Sequence, residues 1–132
     1  MAVLNPYLTF DGNAREAMET YRDIFGGTLE ANEFSDFGGG DGPAPEGIMH
    51  ARLETDDGFT LMASDAAPGT TADANGWVSI SGDEADRLRG WFARLSDGGE
   101  VIMPLEKQVW GDEFGQCRDR FGIAWMVNIS GV

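Results

Sequence analysis

Residues 5–27 read NPYLTFDGNAREAMETYRDIFGG, and this stretch decides the fold. Its beginning belongs to a β-prone run, Val3–Phe10, in which Pro6 suits the start or the edge of a strand. Asn13 precedes Glu16 by three residues, an approximate capping box. Ala14, Ala17, Met18, Tyr21, Ile24 and Phe25 recur at helical spacing, so one face of this helix is apolar. Gly26-Gly27 ends it. A strand that hands its chain directly to an amphipathic helix opens a βα unit.

Outward from this unit the pattern turns to strands. Thr28–Phe34 is β-prone, Asp36–Gly47 is a Gly-, Pro- and Asp-rich loop, and Ile48–Glu54 (IMHARLE) alternates. Asp56-Asp57-Gly58 is a hairpin signal, returning through Phe59–Ser64. After a second loop, Ala66–Gly76, the order repeats. Trp77–Ser81 is a strand, and Asp83 caps a helix with the apolar face Ala85, Leu88, Trp91, Phe92 and Leu95. Gly98-Gly99 stops that helix, and strands follow over Glu100–Pro104, within Gln108–Arg118, and over Ile123–Ile129.

Fixed offsets support the repeat. Gly12 and Gly82 both stand where strand gives way to helix, 70 residues apart. At the same offset Met18 meets Leu88, Tyr21 meets Trp91 and Phe25 meets Leu95. Nearer the end of each half, Gly58 and Gly122 are 64 apart, as are Met62 and Met126. The fold class is therefore α+β, with two βαβββ modules over about residues 1–66 and 75–132. A four-stranded sheet with a helix on one face leaves the other face open, and a module of about 60 residues is marginal alone. The expectation is one domain whose two modules form a curved mixed sheet around a cleft.

Composition narrows the function. The chain has 132 residues, 9 Lys+Arg against 23 Asp+Glu, and a formal net charge of −14. That balance opposes nucleic acid and anionic membrane surfaces as partners. No apolar run approaches the ~20 residues that span a bilayer. The amino-terminal residues lack a basic region and a long apolar stretch, so a cytoplasmic location is expected. One Cys, Cys117, cannot form an internal disulfide, and one His, His50, cannot build a two-His metal triad.

The segments Asn5–Gly27, Ile48–Glu54, Leu61–Asp65 (LMASD) and Met103–Asn128 (MPLEKQVWGDEFGQCRDRFGIAWMVN) resemble the vicinal oxygen chelate superfamily. This superfamily holds glyoxalases, extradiol dioxygenases and bleomycin-resistance proteins, and the likeness is to its PhnB-like branch. It covers nearly the whole chain and implies a single glyoxalase-like domain, usually a homodimer. Members that use a metal place His, Glu or Gln ligands on the first and last strand of each module. Matched by position, this chain offers Asn5, Met62, Trp77 and Met126. None supplies an imidazole or a carboxylate, and thioethers suit soft ions rather than the hard or borderline ones this fold holds. No metal or other cofactor is therefore expected, with a divalent metal kept as the alternative.

The remaining candidates follow from residue chemistry. His50, the side chain that titrates near neutrality, is the catalytic candidate, as general base or anchor. Tyr7, Trp77, Trp110 and Trp125 join Asn5, Met62 and Met126 as ligand-binding candidates, because flat aromatic walls suit conjugated small molecules. Core packing is the competing reading for each Trp. Asp65, Asp112 and Glu113 offer carboxylates for acid–base work, against the simpler role of turn or surface acids. Cys117 has no His or Lys evident to activate it, apart from the adjacent Arg118, and is read as structural. Gly38–Gly42 is read as a flap. Three functions follow: a metal-independent small-molecule binding protein, a glyoxalase-like enzyme with a divalent metal, or a structural or regulatory dimer without a catalytic pocket.

Overall fold

A computed structural model of the chain describes residues 4–33, 47–66 and 75–130. The flap expected at Gly38–Gly42 and most of the second loop lie outside the described residues. Contacts divide the chain into two compact units, Met1–Asn75 and Gly76–Val132.

In the first unit, β1 (Tyr7–Phe10) leads into α1 (Ala14–Phe25), followed by β2 (Thr28–Glu33), β3 (Ile48–Glu54) and β4 (Thr60–Asp65). The sheet order is β1-β4-β3-β2, with β1 parallel to β4 and the other pairs antiparallel. The apolar face expected of α1 is its buried face: Ala14, Ala17, Met18, Tyr21, Ile24 and Phe25. It packs on Leu8, Phe10, Ala51, Leu53, Leu61 and Ala63, all buried. Among the described residues of this unit, no helix covers the other side of the sheet.

The second unit has the same plan. β5 (Trp77–Gly82), α2 (Ala85–Ser96), β6 (Glu100–Lys107), β7 (Glu113–Arg118) and β8 (Ala124–Ile129) form a sheet ordered β5-β8-β7-β6. β5 is parallel to β8. Leu88, Trp91, Phe92 and Leu95 of α2 are buried over Cys117, Trp125, Val127 and Ile129. Each unit is thus a βαβββ module with a four-stranded mixed sheet.

The repeat extends to single hydrogen bonds. In the β3–β4 turn, Thr55 N–H donates to Phe59 O (2.9 Å) and Gly58 N–H to Thr55 O (3.0 Å). In the β7–β8 turn, Asp119 N–H donates to Ile123 O (2.9 Å) and Gly122 N–H to Asp119 O (3.0 Å). Gly58 and Gly122 have φ of 90° and 92°, which explains glycine at both. The first strands follow another offset: Tyr7 faces Met62 whereas Ser79 faces Met126, so β1 and β5 correspond at 72 residues. Gly82 therefore matches Phe10, and the expected match of Gly12 with Gly82 is corrected.

Both expected helix caps also need correction. Asn13 occupies the N-cap of α1 without a side-chain bond, and the N-cap of α2 is Glu84, not Asp83. The first amide of α1 is satisfied from a distance: Ala14 N–H donates to Asp65 Oδ1 at 2.9 Å.

Candidate functional site

Strand alternation decides which side chains reach the open faces. In the first unit Ala51 and Leu53 point to α1, so His50, Arg52 and Glu54 take the other side. Cross-strand pairing then lines up Tyr7, Met62, Arg52 and Glu30 in one row. Beside it, Thr9 pairs with Ser64 on one edge and His50 with Asn32 on the other. The rings of Tyr7 and His50 stack with centroids 6.0 Å apart and planes 30° apart. This brings together three expected residues: Tyr7, His50 and Met62. Asn5 precedes β1 and is partly exposed. Arg52 bonds to Glu54, and a shallow depression of about 70 Å³ is lined by Thr28, Glu30, Arg52 and Glu54.

In the second unit, Cys117 and Trp125 are paired on the α2 side. Consecutive Met126 therefore points away from α2, in a row Ser79, Met126, Gln116, Met103. One step along the strands lie Ser81, Asn128, Phe114 and Glu106. Trp77 begins β5 on the same face, 47% exposed. Trp110, at the tip of the β6–β7 turn, meets Phe114 edge-on at 6.0 Å. The turn is fixed by Gln108 N–H donating to Asp112 O at 2.8 Å and Gly111 N–H donating to Gln108 O at 3.0 Å. Asn128 Nδ2 donates to Asp112 Oδ2 at 3.1 Å.

Trp125 is a correction. It is 1% exposed, beneath α2, and its indole N–H donates to Asp119 Oδ2 at 2.8 Å. Trp125 and Met126 are neighbours in one strand, so only one of them can face a ligand. Trp125 takes the competing role of core packing.

The carboxylates are each engaged in structure. Asp65 is buried at the end of β4, where Oδ1 accepts from Ala14 N–H and Oδ2 from Ile48 N–H at 2.8 Å. Asp112 is held by Asn128. Glu113 forms a two-pronged bond with Arg89 of α2, at 3.0 and 2.6 Å. Hydrogen bonding to Arg89, with its charge in support, holds the Glu113 carboxyl below the ordinary glutamate range. Burial, aided by the nearby Asp119 charge, pushes the Cys117 thiol up to about 11. That thiol is fully enclosed and carries no thiolate at neutral pH.

The superfamily's metal positions can be tested on donor chemistry. Met62 and Met126 occupy equivalent steps of β4 and β8, on the open faces. Asn5 and Trp77 are 72 residues apart, the offset of the first strands. An amide, an indole and two thioethers are not a donor set for a hard or borderline divalent ion. Among the described residues no three His, Cys, Asp or Glu side chains are grouped to hold a metal. The residues present do not fit that metal.

Sequence reasoning missed Arg52, Ser79, Gln116 and Asn128. For Asn128, parity with Met126 on the same strand was the available signal; Arg52, Ser79 and Gln116 lie on other strands and are placed beside the methionines only by the cross-strand register.

Known proteins share this architecture. Protein YjdN of Escherichia coli K12 is 29% identical over 143 residues, spanning 96% of this chain and 94% of its own. The crystal structure of protein PA1353 from Pseudomonas aeruginosa matches with a TM-score of 0.83 at 40% identity, over 98% of each chain. A PhnB protein from Bacillus cereus shares the fold, with a TM-score of 0.78 at 22% identity over 98% of this chain and 100% of that one. The model of the Glyoxalase/Bleomycin resistance protein/Dioxygenase superfamily matches residues 3–127, across both βαβββ modules, and the chain belongs to that superfamily.

Proposed function

We propose that the protein binds an uncharged or cationic aromatic small molecule on its open sheet faces, without a metal. One observation carries this reading. Where the superfamily would place metal ligands, the chain presents Met62, Trp77 and Met126, side chains that contact flat apolar groups well and divalent ions poorly. Tyr7, Trp77 and Trp110 are large aromatics left 47%, 47% and 58% exposed. Soluble proteins commonly leave such surface open where something binds. A net charge of −14 favours cations and neutral molecules over anions.

Isothermal titration with proflavine, a planar cation, against 1-naphthalenesulfonate, a planar anion, tests this. Proflavine is expected to bind, the sulfonate not, and treatment with a chelator to leave the affinity unchanged. A stoichiometric divalent metal in protein purified without chelator, with activity or binding lost on its removal, overturns the proposal.

A second reading is supported by the Tyr7–His50 stack. An imidazole on the open face beside a phenol is placed as a general base or anchor for a glyoxalase-like reaction. His50→Gln separates the two: loss of turnover with binding retained favours catalysis. The exposed apolar pair Val101 and Ile102 on β6 supports a homodimer, which light scattering at micromolar concentration tests. One enclosed thiol and no disulfide suit a cytoplasmic setting.

A further inference from the structure

The equivalent open faces of the two units have diverged in chemistry. In the first unit the central row holds ionised groups, Arg52 and Glu30. In the second the row is Ser79, Met126, Gln116, Met103, with no ionised side chain. That is unusual in a chain with 23 acids. Gln116 stands near the middle of this row, partly exposed, between two thioethers. It is fixed on this face because its neighbours Gly115 and Cys117 are buried on the other. Its side-chain amide makes no hydrogen bond to any described residue. A carboxamide offers one acceptor and one donor side by side.

Aromatic groups flank that amide along the strands. Phe114 is two residues away on β7, with Trp110 against its ring. On the opposite side along the strand axis, Trp77 begins β5 two residues before Ser79. Phe114 and Trp77 lie four residues apart along the strand axis, about 13 Å, and the row spans three strand spacings, about 14 Å, so the patch is wide enough to seat a fused two-ring system. Thioethers at Met126 and Met103 make favourable contact with aromatic edges.

We propose that this face of the second unit is a subsite for a planar, uncharged ring carrying a lactam edge, read by the Gln116 carboxamide through a paired N–H···O and O···H–N contact. The proposal rests on the small-molecule reading above and names the ligand's chemistry. An N–H beside a C=O in one plane complements a carboxamide donor for acceptor. The row itself offers no counter-charge, and the charges beside it, Glu106 on one side and Arg118 with Glu100 on the other, are of both signs, so a charged ring gains little for its desolvation.

The test uses 2-quinolone, whose ring carries that edge, and N-methyl-2-quinolone, which lacks the donor, followed by NMR on the full chain. 2-Quinolone is expected to shift the Gln116 side-chain amide and the Met126 methyl. The N-methyl compound is expected to bind about tenfold more weakly, the effect of one lost hydrogen bond. Gln116→Met should bring the two affinities together. If that variant does not fold, the comparison of the two quinolones on the unaltered protein still decides. Equal binding with a stationary Gln116 amide overturns the subsite. So does binding confined to Tyr7, His50 and Met62, an outcome that leaves the small-molecule reading standing. If neither quinolone moves any resonance of either open face, and proflavine also fails, both proposals fall.

Discussion

Two buried carboxylates do comparable work at different places. Asp65 accepts from the first amide of α1 and from Ile48, tying β4, α1 and β3 together. Asp119 accepts from Phe121 N–H, Ile123 N–H and the Trp125 indole at 2.8 to 3.0 Å, fixing the β7–β8 turn over the core. The matching turn of the first unit uses Thr55, whose hydroxyl accepts from Phe59 N–H at 3.2 Å. Asp119→Ala strands three donors, two of them in buried bonds, and should cost about 3 kcal/mol in urea unfolding. Asp119→Thr, borrowing the first unit's solution, should recover part of that. The Arg89–Glu113 pair is the opposite case, since it lies at the surface. The folded Glu113 carboxyl titrates below its ordinary value of 4.5. A group with a depressed folded pKa contributes stability above the unfolded value and loses it as pH falls through the folded one. The stability gap between the wild type and Arg89→Met should therefore be present at neutral pH and shrink below about pH 4.5. It should also shrink in 1 M salt, as an exposed pair requires. A gap constant down to the folded pKa and beyond would mean that Arg89 acts through packing.

At the scale of elements, glycines mark where chains pass too close for a side chain. A Cβ on Gly27 would enter the backbone at Glu54 and Thr55, and one on Gly99 the backbone at Arg118 and Asp119. These are the same place in the two modules, the entry to β2 and to β6 beside the following turn. Gly27 also has φ of 114°, whereas Gly99 has no left-handed φ. If backbone approach dominates, Gly99→Ala and Gly27→Ala should each lose about 2 kcal/mol or more. Gly90 sits in α2 with nothing within 4 Å of a Cβ, and Gly90→Ala should gain about 0.5 kcal/mol or more. Thermal melts of the three variants separate these effects. The helices and their Gly-Gly stops were legible in the sequence because both signals are local: an apolar stripe at 3.6-residue spacing and a pair of glycines. The cap of α1 was not, because its acceptor, Asp65, is 51 residues away. Trp125 was misplaced for a different reason. Composition marks an aromatic as a candidate, but only strand parity says which face it takes, and Met126 already claimed the open one. Parity also points to Gln116 once Cys117 is known to be buried, a fact no local pattern provides.

For the molecule as a whole, the excess of acid must be weighed against the ion pairs. The pairs seen among the described residues, such as Arg22–Asp23, Arg87–Glu84 and Arg89–Glu113, all involve arginines more than 40% exposed. Exposed pairs contribute about 0–1 kcal/mol each and weaken in salt. Self-repulsion among 14 uncompensated negative charges also weakens in salt, but in the stabilising direction. Few cations and many anions let repulsion win. The melting temperature should therefore rise by a few degrees as sodium chloride increases from about 0.02 to about 0.3 M, where the screening length falls to roughly 6 Å. The same screening should weaken proflavine binding, because the field that attracts a planar cation is the field that strains the fold. 2-Quinolone carries no charge, so its affinity should stay constant over the same range. A melting temperature that falls with salt would show that the arginine pairs outweigh repulsion. A quinolone affinity that tracks salt as proflavine's does would show that the acidic field, and not the neutral row around Gln116, governs what the protein binds.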